Sequence, residues 1–395
     1  MQPVEMRAVN TPALTPPRAI MIPLALAIAV GVLAGLWAAL QRLGWTMPTI
    51  TQSLPSLHGP LMVGFLGTLI SMERAVALSA LDRARFRWTY AAPVLAGLGS
   101  VLLIPTNSAL AAKALVVAGS VGLALIFAVI VHRHKAMYTV TMALGAVCWL
   151  LGNLLWFSGQ PIFVVVHWWI GFLVLTIVGE RLELSRVLRL TVTSQRLFGL
   201  AAAIFLAGIV LSAFVLDAGI RLAGIGELGL ALWLLRFDVA KRTIRLHGLT
   251  RFMGACLFVG YIWLGIGGAM GIAFGAMYAG FLYDAFLHAI LLGFVMSMIF
   301  GHAPIIFPSL TGKQMAYSAL FYSHFLLLHA ALIVRVVSDL NAWTPGRLWA
   351  GLLNVVAVLL FVAITIRSVF IEHRHQQHDA RVTTTTHAQT TTPAL

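Results

Sequence analysis

Apolar residues fill long stretches of this chain, and polar residues fall between them at near-regular intervals. Runs of about 20 apolar residues recur from Ala19 to Phe370, the length a helix needs to cross the hydrocarbon core of a bilayer. They predict twelve transmembrane helices, over 18–40, 57–79, 88–106, 109–131, 136–158, 161–181, 197–216, 220–237, 251–274, 281–303, 316–338 and 347–370. The expected fold is an all-α polytopic membrane protein. Its membrane domain covers 18–374, between an N-terminal tail of residues 1–17 and a tail of residues 375–395. The latter, with Thr383–Thr386 and Thr390–Thr392, has the polar low complexity of a disordered segment.

One pattern recurs on the second, sixth and tenth of these helices. It reads Gly64-Phe65-Leu66, Ile70, Glu73-Arg74, then Gly171-Phe172-Leu173, Ile177, Glu180-Arg181, then Gly293-Phe294-Val295, Ile299, His302. A second match, Gly119-x-x-Gly122-Leu123-Ala124-Leu125, recurs as Gly226-x-x-Gly229-Leu230-Ala231-Leu232. The first two copies of each motif share one offset of 107 residues, and the third copy of the first motif is offset by 122. The expected architecture is three four-helix repeats about a pseudo-threefold axis. An even number of helices per unit keeps the repeats parallel. The glycines read most simply as close helix contacts.

Composition agrees with the membrane reading. The chain has 395 residues, 60% of them hydrophobic and 10% charged. The net charge of +14 does not point to nucleic acid, because its distribution follows topology. Twenty Lys and Arg fall on one side of the predicted membrane, from Arg7 and Arg18 to Arg374 and Arg381. Arg42, Lys113, Arg221 and Arg347 fall on the other. The basic side is expected to be cytoplasmic, and with it both termini. The two cysteines, Cys148 and Cys256, sit in apolar helices and suggest no disulfide framework. No nucleotide-binding, hydrolase or zinc-protease motif is present.

Candidate chemistry lies in the histidines that precede each copy of the pattern. On the predicted topology His58 lies at the outer boundary, and His167, His288 and His329 lie in the outer half, with His324 deeper. Neutral imidazole ligates metals and haem iron, and ionisable groups at membrane depth are costly and usually functional. His58, His167, His288 and His329 are therefore the candidate cofactor ligands. His167 and His288 with Asp284, four residues before His288, form a candidate metal set. Tyr283, Trp168 and Trp169 are aromatics that could pack a macrocycle or mark the interface. Glu73, Glu180 and His302 occupy equivalent positions at the cytoplasmic ends. They read either as ion pairs anchoring helix ends or, with Glu227 in the middle of the eighth helix, as a proton path.

Twelve helices in three groups of four, with His on helices 2, 6 and 10, resemble subunit I of the haem-copper oxidases. The stretch His58-Gly59-Pro60-Leu61-Met62 is similar to that family's haem-ligand region on helix 2. Helix 7 lacks the histidine pair that helps hold copper there. The chain more closely resembles the NnrS family, in His58 to Leu78, Gly171 to Arg186, and His288-Ala289 through Gly293, Met298 and His302. That resemblance implies a haem-associated protein of the bacterial inner membrane, linked to nitric oxide stress and denitrification. It implies haem as cofactor, with copper as a further candidate. Its partners would be the lipid bilayer, a small gaseous ligand or a redox partner. Two other functions fit the residues: a proton-coupled secondary transporter without a cofactor, and a haem carrier or assembly factor.

Overall fold

The computed structural model describes residues 18–105, 109–311 and 313–390, with side chains described up to Ile371 apart from Arg18 and residues 309–311. The tail of residues 1–17 and residues 391–395 lie outside the described part. Among the described residues there is no strand. The helices are α1 (Arg18–Leu43), α2 (His58–Ser79), α3 (Ala91–Leu102), α4 (Ala109–Arg133), α5 (Met137–Phe157) and α6 (Ile162–Leu184). They continue as α7 (Val192–Ser212), α8 (Leu216–Phe237) and α9 (Gly248–Phe274). Next comes a composite span, α10, in three parts: an α-helix Phe281–His288, a π-helix Ala289–Met296 and an α-helix Ser297–Thr311. Last are α11 (Phe321–Leu340) and α12 (Thr344–Thr390). Backbone bonds satisfied within each helix are what a bilayer demands.

Eleven of these are long and apolar enough to cross a membrane, so the chain is a multi-pass, all-helical membrane protein. The exception is the third predicted span, 88–106. It folds as a 3-10 turn, Arg87–Tyr90, followed by the 12-residue α3. Pro105 explains the early end, because a proline disfavours helical geometry in the residue before it. Most other spans match expectation within a few residues. α7 starts earlier because the Thr191 hydroxyl accepts a hydrogen bond from Ser194 N at 3.2 Å and caps it. α12 continues as helix to Thr390, through residues expected as tail.

Successive helices pack on one another, with α7 on α8, α5 on α6, α9 on α8 and α11 on α12. α1 touches both α2 and α12, so the first and last helices pack together. α6 is the innermost helix, with a nearly continuous run of buried residues from Val165 to Val178. Trp149 of α5 stacks on Phe172 of α6, ring centroids 5.0 Å apart. Both cysteines are free and buried, as expected of small core residues.

The glycines of the recurring pattern are packing sites. A side chain at Gly293 would meet the Trp263 side chain at 2.5–2.7 Å, closer than atoms can approach. One at Gly67, which lies between Gly64 and Ile70 outside the pattern itself, would enter the Trp149 ring. Changing Gly67 to Val therefore displaces a fully buried tryptophan, and overpacking of this kind costs about 1–3 kcal/mol. The expected result is a lower thermal midpoint with the helical circular-dichroism signal retained below it. Gly59, with open space around its Cβ position, should tolerate Ala without loss.

Candidate functional site

Two of the four candidate ligands meet. His58 is the first residue of α2, carried there by the 3-10 turn Leu54–Leu57. His288 ends the first α-helical part of α10, immediately before the π-helix. Their ring centroids lie 6.3 Å apart and their planes differ by 9°. His58 Nδ1–H donates to Gly35 O of α1 at 2.9 Å. His288 Nδ1–H donates to Asp284 O, one turn earlier, at 2.8 Å. A carbonyl can only accept, so each Nδ1 carries the proton and each Nε2 keeps its lone pair free. Both rings are half-buried. A π-helix beside a functional residue is a recurrent device, because the extra residue per turn re-aims the side chains that follow it.

Beside the pair lies a cluster of buried charge. Asp284 Oδ2 accepts from Arg335 Nη2 at 2.7 Å and Nε at 3.1 Å, and lies 3.5 Å from Arg347 Nη2. Arg347 Nε is 3.2 Å from Asp339 Oδ1, whose side chain is fully buried. The two guanidiniums come from α11 and α12. Tyr283 O–H, beside Asp284 in sequence, and Ser338 Oγ, beside Asp339, are buried with no hydrogen-bond partner among the protein atoms.

The other expected ligands stand apart from the pair. His167 of α6 is 5% exposed, with Nε2 unpartnered. Its ring faces Phe286, centroids 6.1 Å apart. His329 has both nitrogens engaged, Nδ1 accepting from Trp263 Nε1 at 3.0 Å and Nε2 3.3 Å from Ser297 Oγ. It ties α11 to α9 and α10. Of the expected metal set, Asp284 and His288 meet, with Asp284 Oδ1 3.4 Å from His288 Nδ1 while Oδ2 takes Arg335, and His167 stands apart against Phe286. Among the described residues no group of three or more His, Cys, Asp or Glu is placed to hold a metal ion.

At the opposite ends of the same helices, Glu73, Glu180 and His302 are linked through arginines. Arg74 of α2 pairs with Glu180 of α6 and lies 3.8 Å from Glu73. Arg181 donates to Asp238 Oδ2 at 3.2 Å and to His302 Nε2 at 3.1 Å. Asp238 also accepts from Ser185 Oγ at 2.9 Å, Tyr261 O–H at 2.9 Å and Ala240 N at 2.8 Å. Asp238 and Tyr261 were not among the residues expected here. A trace was visible, since Asp238 is the one acid in the strongly basic stretch from Arg236 to Arg251. Glu227 stands alone on α8, 2% exposed, with Oε2 unpartnered. Gly268 of α9 is its close neighbour, an ideal Cβ there lying 3.1 Å from Glu227 Cβ.

A comparison with curated proteins finds no match. A family model does match, over residues 20–370, which takes in every helix from α1 onward, the His58–His288 pair and the Arg181–Asp238 network. The chain belongs to that family, which is described as a domain of unknown function, DUF8744.

Proposed function

We propose that this chain is a haem-binding membrane protein in which His58 and His288 would hold the iron. The observation that carries the reading is the meeting of these two rings. Two imidazoles that share one metal through Nε2, at N–metal distances of about 2.0–2.1 Å each, can have ring centroids roughly 6–6.5 Å apart. The observed separation is 6.3 Å, with near-parallel planes. Each Nδ1 is tied to a carbonyl, the usual way a ligating histidine is oriented. The donor set also favours haem over a bare ion, because a macrocycle supplies the other coordinating nitrogens and two side chains suffice.

A haem held there supplies one-electron redox chemistry. If His58 and His288 both held the iron, the site would suit electron transfer or haem handling more than direct capture of a gas. The protein side of the task is to fix both rings and to keep them dry. We place it in nitric oxide or respiratory metabolism at the bacterial inner membrane, of the NnrS or oxidase-like type, with a redox partner. With α3 and the 3-10 turn before it read as a short twelfth crossing, the charge distribution argues for two cytoplasmic termini and for a His pair in the outer half. The three-repeat reading draws support from the ion pairs at the other end, where Arg74 and Arg181 each reach the next copy.

The test is the absorption spectrum of the purified protein from cells supplied with haem precursors. A Soret band that persists through purification is the expected result. Its absence, with iron and copper absent as well, refutes the reading. Glu227 favours the second reading, a proton-coupled transporter, since an unpaired carboxyl at mid-membrane is costly unless used. That reading predicts a cofactor-free protein whose transport is lost in Glu227→Gln.

A further inference from the structure

The third copy of the recurring pattern lacks a charge that the other two have. Arg74 and Arg181 each sit one residue past the shared polar position, and each reaches the next copy, Arg74 to Glu180 and Arg181 to His302. The corresponding residue of the third copy is Ala303. α10 nevertheless lies against α2 here, where Ile306 packs on the cluster formed by Leu24 and Met72. Beside Ala303 there is a small cavity of about 10 Å³.

His324 of α11 lines that cavity. Its side chain is 2% exposed, and neither ring nitrogen has a hydrogen-bond partner. Four phenylalanine rings surround it. Phe300 and Phe361 lie at 4.7 and 5.3 Å, and Phe252 and Phe321 at 5.9 and 6.2 Å, centroid to centroid. None of these can accept or donate a conventional hydrogen bond. A buried imidazole with both nitrogens unpaired is costly, and it is a poor choice for an aromatic core unless something else pairs with it.

We propose that the cavity holds one water molecule hydrogen-bonded to His324. The volume fits one water, which needs roughly 10–15 Å³ of this measure. The polar partners are present too. Thr365 brings a hydroxyl to the cavity wall. Pro304, also in the wall, has no N–H, so the Phe300 carbonyl loses its usual helical donor. An imidazole nitrogen, a hydroxyl and a freed carbonyl are the two to four partners a buried water takes. In a membrane-embedded helix, water is one of the groups that satisfies a carbonyl freed by proline.

The experiment is a thermal-stability cycle on the full chain with His324→Phe, Thr365→Val and the double variant. If one water bridges the two side chains, each single change lowers the midpoint by roughly 2–4 °C. The double variant then falls no further than the worse single one, because both remove the same bridge. His324→Gln, which keeps a hydrogen-bonding amide, stays close to wild type. A dry cavity predicts the opposite sign: His324→Phe raises the midpoint, since an apolar ring replaces an unpaired one. That result, or strictly additive losses, overturns the proposal.

Discussion

Replacing Arg181 by Leu lowers the stability of the folded protein by about 3–5 kcal/mol, the cost of breaking one side of a buried ion pair. The Arg181 and Asp238 side chains are 4% and 0% exposed. Removing the guanidinium leaves a carboxylate in the interior with only Ser185, Tyr261 and a backbone N–H to solvate it. Asp238→Ala has a comparable effect from the other side, stranding a cation whose remaining partner is His302. Removing both charges together, with Arg181→Met and Asp238→Leu, recovers much of the loss, because a desolvated pair contributes little net stability beyond its apolar replacement. The Asp217–Arg221 pair supplies the contrast. Its side chains are 54% and 43% exposed, and Arg221→Ala there costs at most about 1 kcal/mol through that ion pair. Thermal or denaturant unfolding in detergent, followed by circular dichroism, reads all four variants. Equal losses for Arg181→Leu and Arg221→Ala would mean that burial does not set the scale.

If His58 and His288 hold a haem as proposed, changing either one to Ala abolishes haem binding. Each change removes an imidazole fixed by its bond to Gly35 O or Asp284 O. His329→Ala behaves differently. It breaks the links to Trp263 and Ser297, so it lowers the thermal midpoint while the haem stays. His167→Phe leaves the haem in place too, since that ring meets Phe286 and not the pair. Haem content per polypeptide, by absorption after purification, separates the four. Retention of haem in His58→Ala together with loss in His329→Ala would reassign the ligands.

Much of this was readable from residues alone, and the limits have physical causes. Apolar run length announced the helices because a bilayer tolerates few alternatives, and only Pro105 spoiled one of them. The histidines and the Glu73, Glu180 and His302 positions were legible as costly polar groups at membrane depth. Which histidines meet was not legible. Helical periodicity assigns a face within one helix but not the partner across the bundle. The π-helix Ala289–Met296 shifts the phase of the tenth span, so spacing counted at 3.6 residues per turn fails there. Asp238 and Tyr261 were missed for a related reason. They join Arg181 only because α8 and α9 bring them to α6, and nothing local to either residue marks that meeting. His324 is the extreme case. Its surroundings are four phenylalanines from α9, α10, α11 and α12, an environment no single stretch of chain displays.

The most direct measurement is the haem content and oxidised and reduced absorption spectrum of the purified wild-type chain. One haem per polypeptide, with the spectrum of a low-spin iron, is what the proposed role of His58 and His288 predicts. A well-folded protein that purifies without haem and takes up none when haem is added would contradict it.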